Sequence, residues 1–196
     1  MEYFKINSNK GKFIKGPLII KPKIFLDNRG YFFESWNHSE FNKIISREIN
    51  FVQDNHSESK FGVLRGLHYQ LEPKAQAKLV RCTKGEVFDV IADIRKDSDT
   101  YSEWSSIILN EQNNLQFWIP EGFVHGFISL KDCSELQYKT NEYWEKDLER
   151  SLFWKDSDLN IDWPLANNNE KNKIITNDKD AIAPTLKEIE KSGDLF

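Results

Sequence analysis

The sequence predicts an all-β fold in which two sheets form a sandwich or barrel. Short runs of β-branched and aromatic residues recur along the chain, and turn-forming residues interrupt them about every ten residues. The chain has 196 residues, which suits one domain. We therefore expect a single domain over residues 1–196, with N-terminal strands and a short helix in 1–50, the barrel core in 51–145 and a C-terminal extension in 146–196.

Eight runs are predicted as strands because they alternate or are apolar throughout. They are residues 18–24, 31–36, 78–82, 87–94, 105–109, 116–119, 127–130 and 134–140. Residues 83–86, which contain Gly85, predict a hairpin turn. Helical spacing after Ser39 predicts a short helix over 39–45, and a last amphipathic helix is expected over 184–191, with Pro184 in its first turn. Residues 167–173, which precede this last helix, are predicted to be a polar loop.

Composition excludes several classes of protein. The net charge of −4 and the pI near 5.7 argue against a nucleic-acid-binding protein, which usually carries a basic stripe. No signal-like apolar segment follows Met1, and no run approaches about 18 apolar residues, so we expect no membrane segment and a cytoplasmic protein. Cys82 and Cys133 lack metal-site spacing and are expected to be free thiols in a reducing compartment.

Two histidine motifs carry the first functional signal. Arg-Gly-Leu-His-Tyr-Gln spans residues 65–70, and Pro-Glu-Gly-Phe-Val-His-Gly-Phe spans 120–127. The Pro-x-Gly-x-x-His order is typical of cupin barrels, in which a hairpin turn brings a histidine to the barrel mouth. Metal-binding cupins usually have His-x-His in the first motif, but here Gln70, a poor metal ligand, takes the place of the second histidine. We therefore expect no metal, and His68 and His125 are available for proton transfer.

Three basic residues, Arg65, His68 and Lys78, are predicted near one barrel mouth. Such a cluster favours an anionic ligand, because the like charges otherwise repel one another. Strict strand alternation places Arg65 and His68 on opposite faces, but a bulge at Gly66 can turn both inward. The alternative is that His68 is an ordinary polar residue on a strand.

A third motif, residues 27–34, combines a turn with an aromatic strand. Asn-Arg-Gly at 28–30 forms the turn, and Phe32 and Glu34 then share one face. An aromatic ring beside a carboxylate suits a pyrimidine base, because the ring stacks and the carboxylate accepts the imide N–H. A half-buried strand with a solvated glutamate is the alternative.

A fourth motif contains Tyr138, which shares a face with Leu136 and Thr140. A phenol directed into a cavity can donate a proton to an enolate. The alternative is a core tyrosine whose hydroxyl is hydrogen-bonded.

Together the motifs resemble the dTDP-4-dehydrorhamnose 3,5-epimerase family, metal-free cupin enzymes that act on nucleotide-linked 4-keto-6-deoxysugars. The resemblance implies a jelly-roll double-sheet barrel, and a homodimer in which each site borrows an N-terminal strand from the neighbouring subunit. It covers nearly the whole chain, in residues 27–34, 53–57, 63–70, 78–81, 85–90, 118–127, 138–144 and 162–164.

The resemblance also implies roles for individual residues. His68 resembles the general base, and Asp180 resembles the carboxylate that orients it, with Asp178 as the alternative partner. Tyr138 resembles the acid on the opposite face of the sugar, and Lys78 the cation beside the ketone oxygen. The implied substrate-binding residues are Arg29 and Arg65 for the diphosphate, Phe32, Glu34, Gln53 and Asn55 for the nucleotide, and His125 and Trp144 for the sugar.

The implied reaction is epimerisation of dTDP-4-keto-6-deoxy-D-glucose at carbons 3 and 5, which flank the ketone, to give dTDP-4-keto-L-rhamnose for dTDP-L-rhamnose biosynthesis. Removing either proton gives an enolate, so no cofactor is required. This agrees with the lack of a glycine-rich dinucleotide motif. The alternatives are epimerisation of one carbon only on a related nucleotide-linked sugar, a metal-dependent cupin enzyme, and a non-catalytic nucleotide-sugar binder.

Overall fold

The computed structural model describes residues 1–164 and 174–196. The predicted polar loop at 167–173 lies outside these ranges. None of the helices in them is long and apolar enough to cross a bilayer. The strands are β1 Glu2–Asn7, β2 Phe13–Lys21, β3 Phe25–Asp27, β4 Gly30–Phe32, β5 Gln53–Ser59, β6 Leu64–Gln70, β7 Lys78–Lys84, β8 Glu86–Asp93, β9 Trp104–Asn110, β10 Gln116–Ile119, β11 Phe123–Ser129, β12 Ser134–Thr140 and β13 Glu149–Ser151, and the helices are α1 His38–Ile45, α2 Asp178–Ala181 and α3 Leu186–Ser192.

Two antiparallel sheets carry the fold, as predicted. The six-stranded sheet has the order β1-β2-β10-β7-β12-β5, and the five-stranded sheet has the order β13-β6-β11-β8-β9. Apolar side chains from both sheets pack between them, as alternation along each strand requires. This inner core includes Ile14, Val80, Ile91, Leu109 and Phe117, each at most 1% exposed.

A second core covers the outer face of the five-stranded sheet. Leu186 and Ile189 of α3 pack there together with Trp163, whose indole N–H donates to the carbonyl oxygen of Trp154. A capping box begins α3 at Thr185, so this helix has a fixed start. The C-terminal segment is thereby held against the sheet that contains β6, the strand of His68. This packing brings α2, which precedes α3, close to β6.

The first two predicted strands and the last predicted helix begin or end at other residues in the structure. The strand predicted at 18–24 runs from Phe13 to Lys21 and stops before Pro22, which lacks the N–H that a strand interior needs. The strand predicted at 31–36 ends at Phe32, because the chain turns there towards Asn37, the N-cap of α1. The last helix starts at Leu186, so Pro184 lies just outside it.

The predicted hairpin at 83–86 is wrong. β7 and β8 meet at Gly85 but belong to different sheets, so the segment is a corner that crosses between them. Gly85 has φ +74°, and a Cβ there would lie 2.6 Å from Oγ of Ser134. The turn at 120–122 likewise leads from β10 in one sheet to β11 in the other, and is not a hairpin.

Candidate active site

A cavity of about 270 Å³ lies between the two sheets and is lined by residues of β5, β6, β7, β11 and β12, with α2 at its edge. Seven of the predicted site residues meet in it. The residues that line it are Asn55, His56, Ser57, Arg65, His68, Lys78, His125, Phe127, Tyr138, Asn177 and Asp180.

A bulge in β6 brings Arg65 and His68 to the same cavity. The register of β6 against β11 slips by one residue between them, so that two residues of β6 oppose one of β11. Gly66 has φ +123°, and a Cβ there would lie 2.6 Å from Cα of Gly126. The predicted bulge at Gly66 is confirmed, and it depends on the close crossing of these two glycines.

Asp180 is the carboxylate that meets His68. Its Oδ1 lies 2.7 Å from Nε2 of His68, and its Oδ2 accepts the backbone N–H of Gly66 at 3.1 Å. Burial raises the pKa of Asp180, but the hydrogen bond and charge of His68 and the Gly66 N–H outweigh it, so the net pKa is lowered. An ionised Asp180 accepts the proton of Nε2, which leaves Nδ1 of His68 as the basic nitrogen. The geometry therefore favours Asp180 over Asp178.

Lys78 is a buried amine beside this pair. Its side chain is within 3.4 Å of the carbonyl oxygen of His68, and the residue is 8% exposed. Burial lowers the pKa of Lys78 to about 8, although the charges of Asp89 and Glu149 oppose that effect. The ammonium is thus present at neutral pH, with little water around it to weaken its effect on a nearby anion.

His125 is held by a carboxylate that the sequence reasoning missed. Its Nε2 lies 3.0 and 3.1 Å from the two carboxylate oxygens of Asp89, which is fully buried. Burial has the largest effect on the pKa of His125 and lowers it. The charge and hydrogen bond of Asp89 raise this pKa, whereas the charges of Lys78 and His68 lower it further, and the net pKa is lowered. A neutral His125 that donates from Nε2 keeps Nδ1 as an acceptor, which suits a sugar hydroxyl.

Tyr138 lies on the opposite wall of the cavity from His68, because β12 belongs to the six-stranded sheet and β6 to the five-stranded one. Burial raises the pKa of Tyr138, and the charge of Glu149 raises it further. The charge of Arg65 lowers it, but the net pKa is raised. The phenol is therefore protonated at neutral pH. An imidazole that can accept a proton and a phenol that can donate one thus face the cavity from different sides.

Glu149 and Lys179 form a second pair that sequence reasoning missed. Their Oε2 and Nζ atoms lie 2.6 Å apart and join β13 to α2. The charge of Glu149 acts on both Lys78 and Tyr138, so the pair lies close to the reactive groups. Neither residue falls in a recognisable motif, and only the folded chain brings them together.

Five predicted binding residues do not line this cavity. Gln53 donates to the side chain of Asn55, which lines the cavity, at 2.9 Å, and it accepts the backbone N–H of Trp144 at 3.3 Å. Gln53 and Trp144 therefore lie next to the cavity. The other three, Arg29, Phe32 and Glu34, are on or just after the β3–β4 hairpin, which joins neither large sheet. The Arg29 side chain is 85% exposed and pairs with Asp27.

No group of three or more His, Cys, Asp or Glu side chains that could hold a metal ion occurs in residues 1–164 and 174–196. His68 and His125 are bonded to different carboxylates, Asp180 and Asp89. The expectation that no metal takes part remains a prediction.

A cavity with a base on one wall and a proton donor on the other can remove a proton from one face of a substrate and return one to the opposite face. Such an arrangement in a double-sheet barrel defines an isomerase of the cupin type, an epimerase.

Comparison with known proteins identifies the family of epimerases to which this chain belongs. A family model described as dTDP-4-dehydrorhamnose 3,5-epimerase matches residues 12–188, and the chain belongs to this family. A dTDP-4-dehydrorhamnose 3,5-epimerase of Shigella flexneri is 53% identical over 162 residues, which are 83% of this chain and 90% of the relative. The family and the enzyme class predicted from the sequence are confirmed.

Solved structures confirm the cupin-type fold. The epimerase of Mycobacterium tuberculosis superposes with a TM-score of 0.91 at 34% identity, and the match covers 100% of this chain and 93% of that one. The dTDP-6-deoxy-D-glucose-3,5-epimerase of Legionella pneumophila Philadelphia 1, solved in complex with dTDP-4-keto-L-rhamnose, superposes with a TM-score of 0.88 at 41% identity. That match covers 99% of this chain and 97% of the other.

Proposed function

We propose that this enzyme epimerises dTDP-4-keto-6-deoxy-D-glucose at carbons 3 and 5 and releases dTDP-4-keto-L-rhamnose. The observation that supports this most strongly is the placement of His68 with Asp180 on one wall of the cavity and Tyr138 on the other. The family membership and the ligand of the Legionella pneumophila relative agree with it.

The reaction uses proton transfer alone. Nδ1 of His68 takes the proton from a carbon next to the ketone, and the electron pair of the C–H bond moves through the new C=C bond to the ketone oxygen. The ammonium of Lys78 stabilises the resulting enolate oxygen, as oxyanion-hole donors do. Tyr138 then donates its proton to the opposite face of the same carbon, which inverts it, and solvent reprotonates the phenolate while His68 releases its proton.

The diphosphate and sugar are held by groups around the mouth. Arg65 is fixed by hydrogen bonds from Nε to Oγ of Ser59 at 3.1 Å and from Nη2 to the carbonyl oxygen of Glu58 at 3.0 Å, so its charge is presented in one place. The side-chain amide of Asn55 lines the same cavity. Nδ1 of the neutral His125 accepts a hydrogen bond from a sugar hydroxyl. Binding energy from the diphosphate, remote from the reacting carbons, positions the ketone.

The remaining nucleotide ligands come from a second copy of the chain. Leu26 and Phe32 of the β3–β4 hairpin are 81% and 67% exposed, and a two-stranded hairpin is marginal alone. Arg29 and Glu34 do not line the cavity of their own chain, so a second copy is the source of these ligands that we favour. We therefore propose a homodimer that exchanges its N-terminal hairpins, so that each hairpin completes the partner's site.

Mixing two defective variants tests this exchange. Arg29→Ala and His68→Asn homodimers are each expected to be nearly inactive at low substrate concentration. After the two are unfolded together, refolded and allowed to pair at random, we expect about a quarter of the wild-type activity, because each mixed dimer contains one site with both His68 and Arg29 intact. If Arg29 served its own chain, every site would remain defective and no activity would return.

Both cysteines are free thiols, with Cys82 buried and Cys133 exposed. Free thiols of this kind suit a reducing compartment. We propose a cytoplasmic location on that ground. Appearance of the enzyme in the soluble fraction with both thiols reduced would agree with it, and a secreted, oxidised form would contradict it.

Incubation with dTDP-4-keto-6-deoxy-D-glucose in heavy water tests the function itself. We expect deuterium at both carbon 3 and carbon 5, read by mass spectrometry and NMR, because each is inverted through an enolate. Exhaustive chelation beforehand should leave the rate unchanged. Label at one carbon would identify a mono-epimerase, loss of activity on chelation a metal-dependent cupin, and binding without exchange a non-catalytic binder.

A further inference from the structure

Asp180 sits on a helix that is too short to hold its own shape. α2 has four residues, and an isolated turn of helix is unstable because nucleation is unfavourable. The direction of the Asp180 carboxylate is therefore set by contacts with its surroundings. A buried carboxylate that must meet both Nε2 of His68 and the backbone N–H of Gly66 tolerates little rotation of this turn.

Asn177 caps this turn and contacts the Asp180 backbone directly. Its Oδ1 accepts the backbone N–H of Asp180 at 2.7 Å, and its carbonyl oxygen accepts the N–H of Ala181 at 3.0 Å. The Asn177 side chain also lines the catalytic cavity. One side chain thus lies against both the substrate space and the backbone that carries Asp180.

Other contacts hold the segment to the protein without setting this direction. The N–H of Ile175 donates to the carbonyl oxygen of Gly62 at 2.9 Å, and its carbonyl oxygen accepts the N–H of Leu64 at 2.8 Å. On the other side, Lys179 pairs with Glu149. Because these contacts do not involve the Asn177 side chain, a substitution at Asn177 should leave the segment attached and the protein folded.

We propose that Asn177 is a positioning residue for the reaction, which sets the direction of the Asp180 carboxylate towards His68. This inference rests on the proposed function, in which His68 is the base. Asn177 acts through Asp180, and its side-chain oxygen is the group required. Besides Asp180, the charged or titratable groups that line the cavity with His68 are His56 from β5, Lys78 from β7, His125 from β11, Tyr138 from β12 and Arg65 from its own strand. The Asn177 side chain is hydrogen-bonded to the Asp180 backbone and to none of these groups.

Three variants of Asn177 separate the cap from the side chain as a whole. Asn177→Ala removes the cap, Asn177→Gln keeps an amide but moves its oxygen by one methylene, and Asn177→Ser keeps a capping oxygen. We expect kcat to fall about tenfold for Ala and Gln, because the turn that carries Asp180 loses its cap, while Ser, which is a good N-cap residue, restores most of the rate. KM should stay nearly constant, because the diphosphate ligands are unchanged. Equal kcat for Ala and Ser would overturn the proposal.

A double-mutant cycle with Asp180→Asn tests the route of the effect. If Asn177 acts through Asp180, adding Asn177→Ala to Asp180→Asn should reduce kcat no further, since coupled residues are not additive. A full additional tenfold loss would show that Asn177 acts elsewhere and would reject the proposal.

Nitrogen NMR of His68 gives a readout that a purely structural role would not move. In the native protein the ring proton is expected on Nε2, the nitrogen that is bonded to Asp180. In Asn177→Ala both tautomers should be populated. An unchanged tautomer would count against the inference. These results also distinguish failure of the inference from failure of the proposed function. If the proposed function were wrong, Asp180→Asn and His68→Asn would keep proton exchange. If only the inference were wrong, those two variants would be impaired and Asn177→Ala would remain active.

Discussion

Substitution of His68 by Asn is expected to reduce proton exchange at both carbons to a trace and to leave dTDP affinity largely intact. Asparagine fills similar space but has no nitrogen that can accept a proton, so the rate should fall by on the order of 10³. Affinity should persist because Arg65, Asn55 and the hairpin ligands are unaltered. Deuterium uptake from heavy water measures the exchange, and calorimetric titration with dTDP measures the affinity.

The same change at His38 provides a matched control. His38 is on α1, where its Nε2 lies 2.7 Å from Oε1 of Glu48, and it is not among the residues that line the cavity. His38→Asn should keep wild-type exchange. If His68→Asn exchanged either carbon at close to the wild-type rate, His68 would not be the base for that carbon, and another cavity residue would have to be.

The local sequence was sufficient to predict how His68 and Arg65 share a cavity. Alternation alone separates them, and only glycine tolerates the positive φ that a bulge at position 66 requires. The inward face of Tyr138 also followed from alternation, since Leu136 and Thr140 are fully buried on the same side. In both cases the information lies within a few residues of the motif, which is why it could be read from the sequence.

Features that depend on tertiary pairing were not accessible in this way. The turn at Gly85 has hairpin chemistry, but whether its strands pair with each other depends on partners far along the chain. β5 was missed because its residues are all polar, and its place at the sheet edge comes from pairing with β12. Asp89 did leave a signal, since it is the single carboxylate among the apolar residues 87–92 of β8, and a buried carboxylate must find a partner.

Replacement of Lys78 by Met is expected to lower kcat about 10² to 10³-fold, the usual loss when one oxyanion-stabilising donor is removed. Methionine keeps most of the buried volume, so folding should be preserved. Because the pKa of Lys78 in the free enzyme is about 8, its ammonium is lost as pH rises through that value. kcat/KM, which reports the free enzyme, should therefore decline above about pH 8.

Tyr138 does not explain such a decline, since its pKa is raised above the ordinary tyrosine value. Lys78→Arg is the matched variant, because a guanidinium stays charged throughout this range. Its rate will be lower than wild type, since the larger group fits the buried position poorly, but its kcat/KM should no longer decline near pH 8. A decline that persisted in Lys78→Arg would assign the titration to another group, and an active Lys78→Met would mean that the enolate oxygen is stabilised elsewhere. The positive charge of Lys78 is thus tested separately from its size, which is necessary because a buried side chain at this position supports both the fold and the reaction.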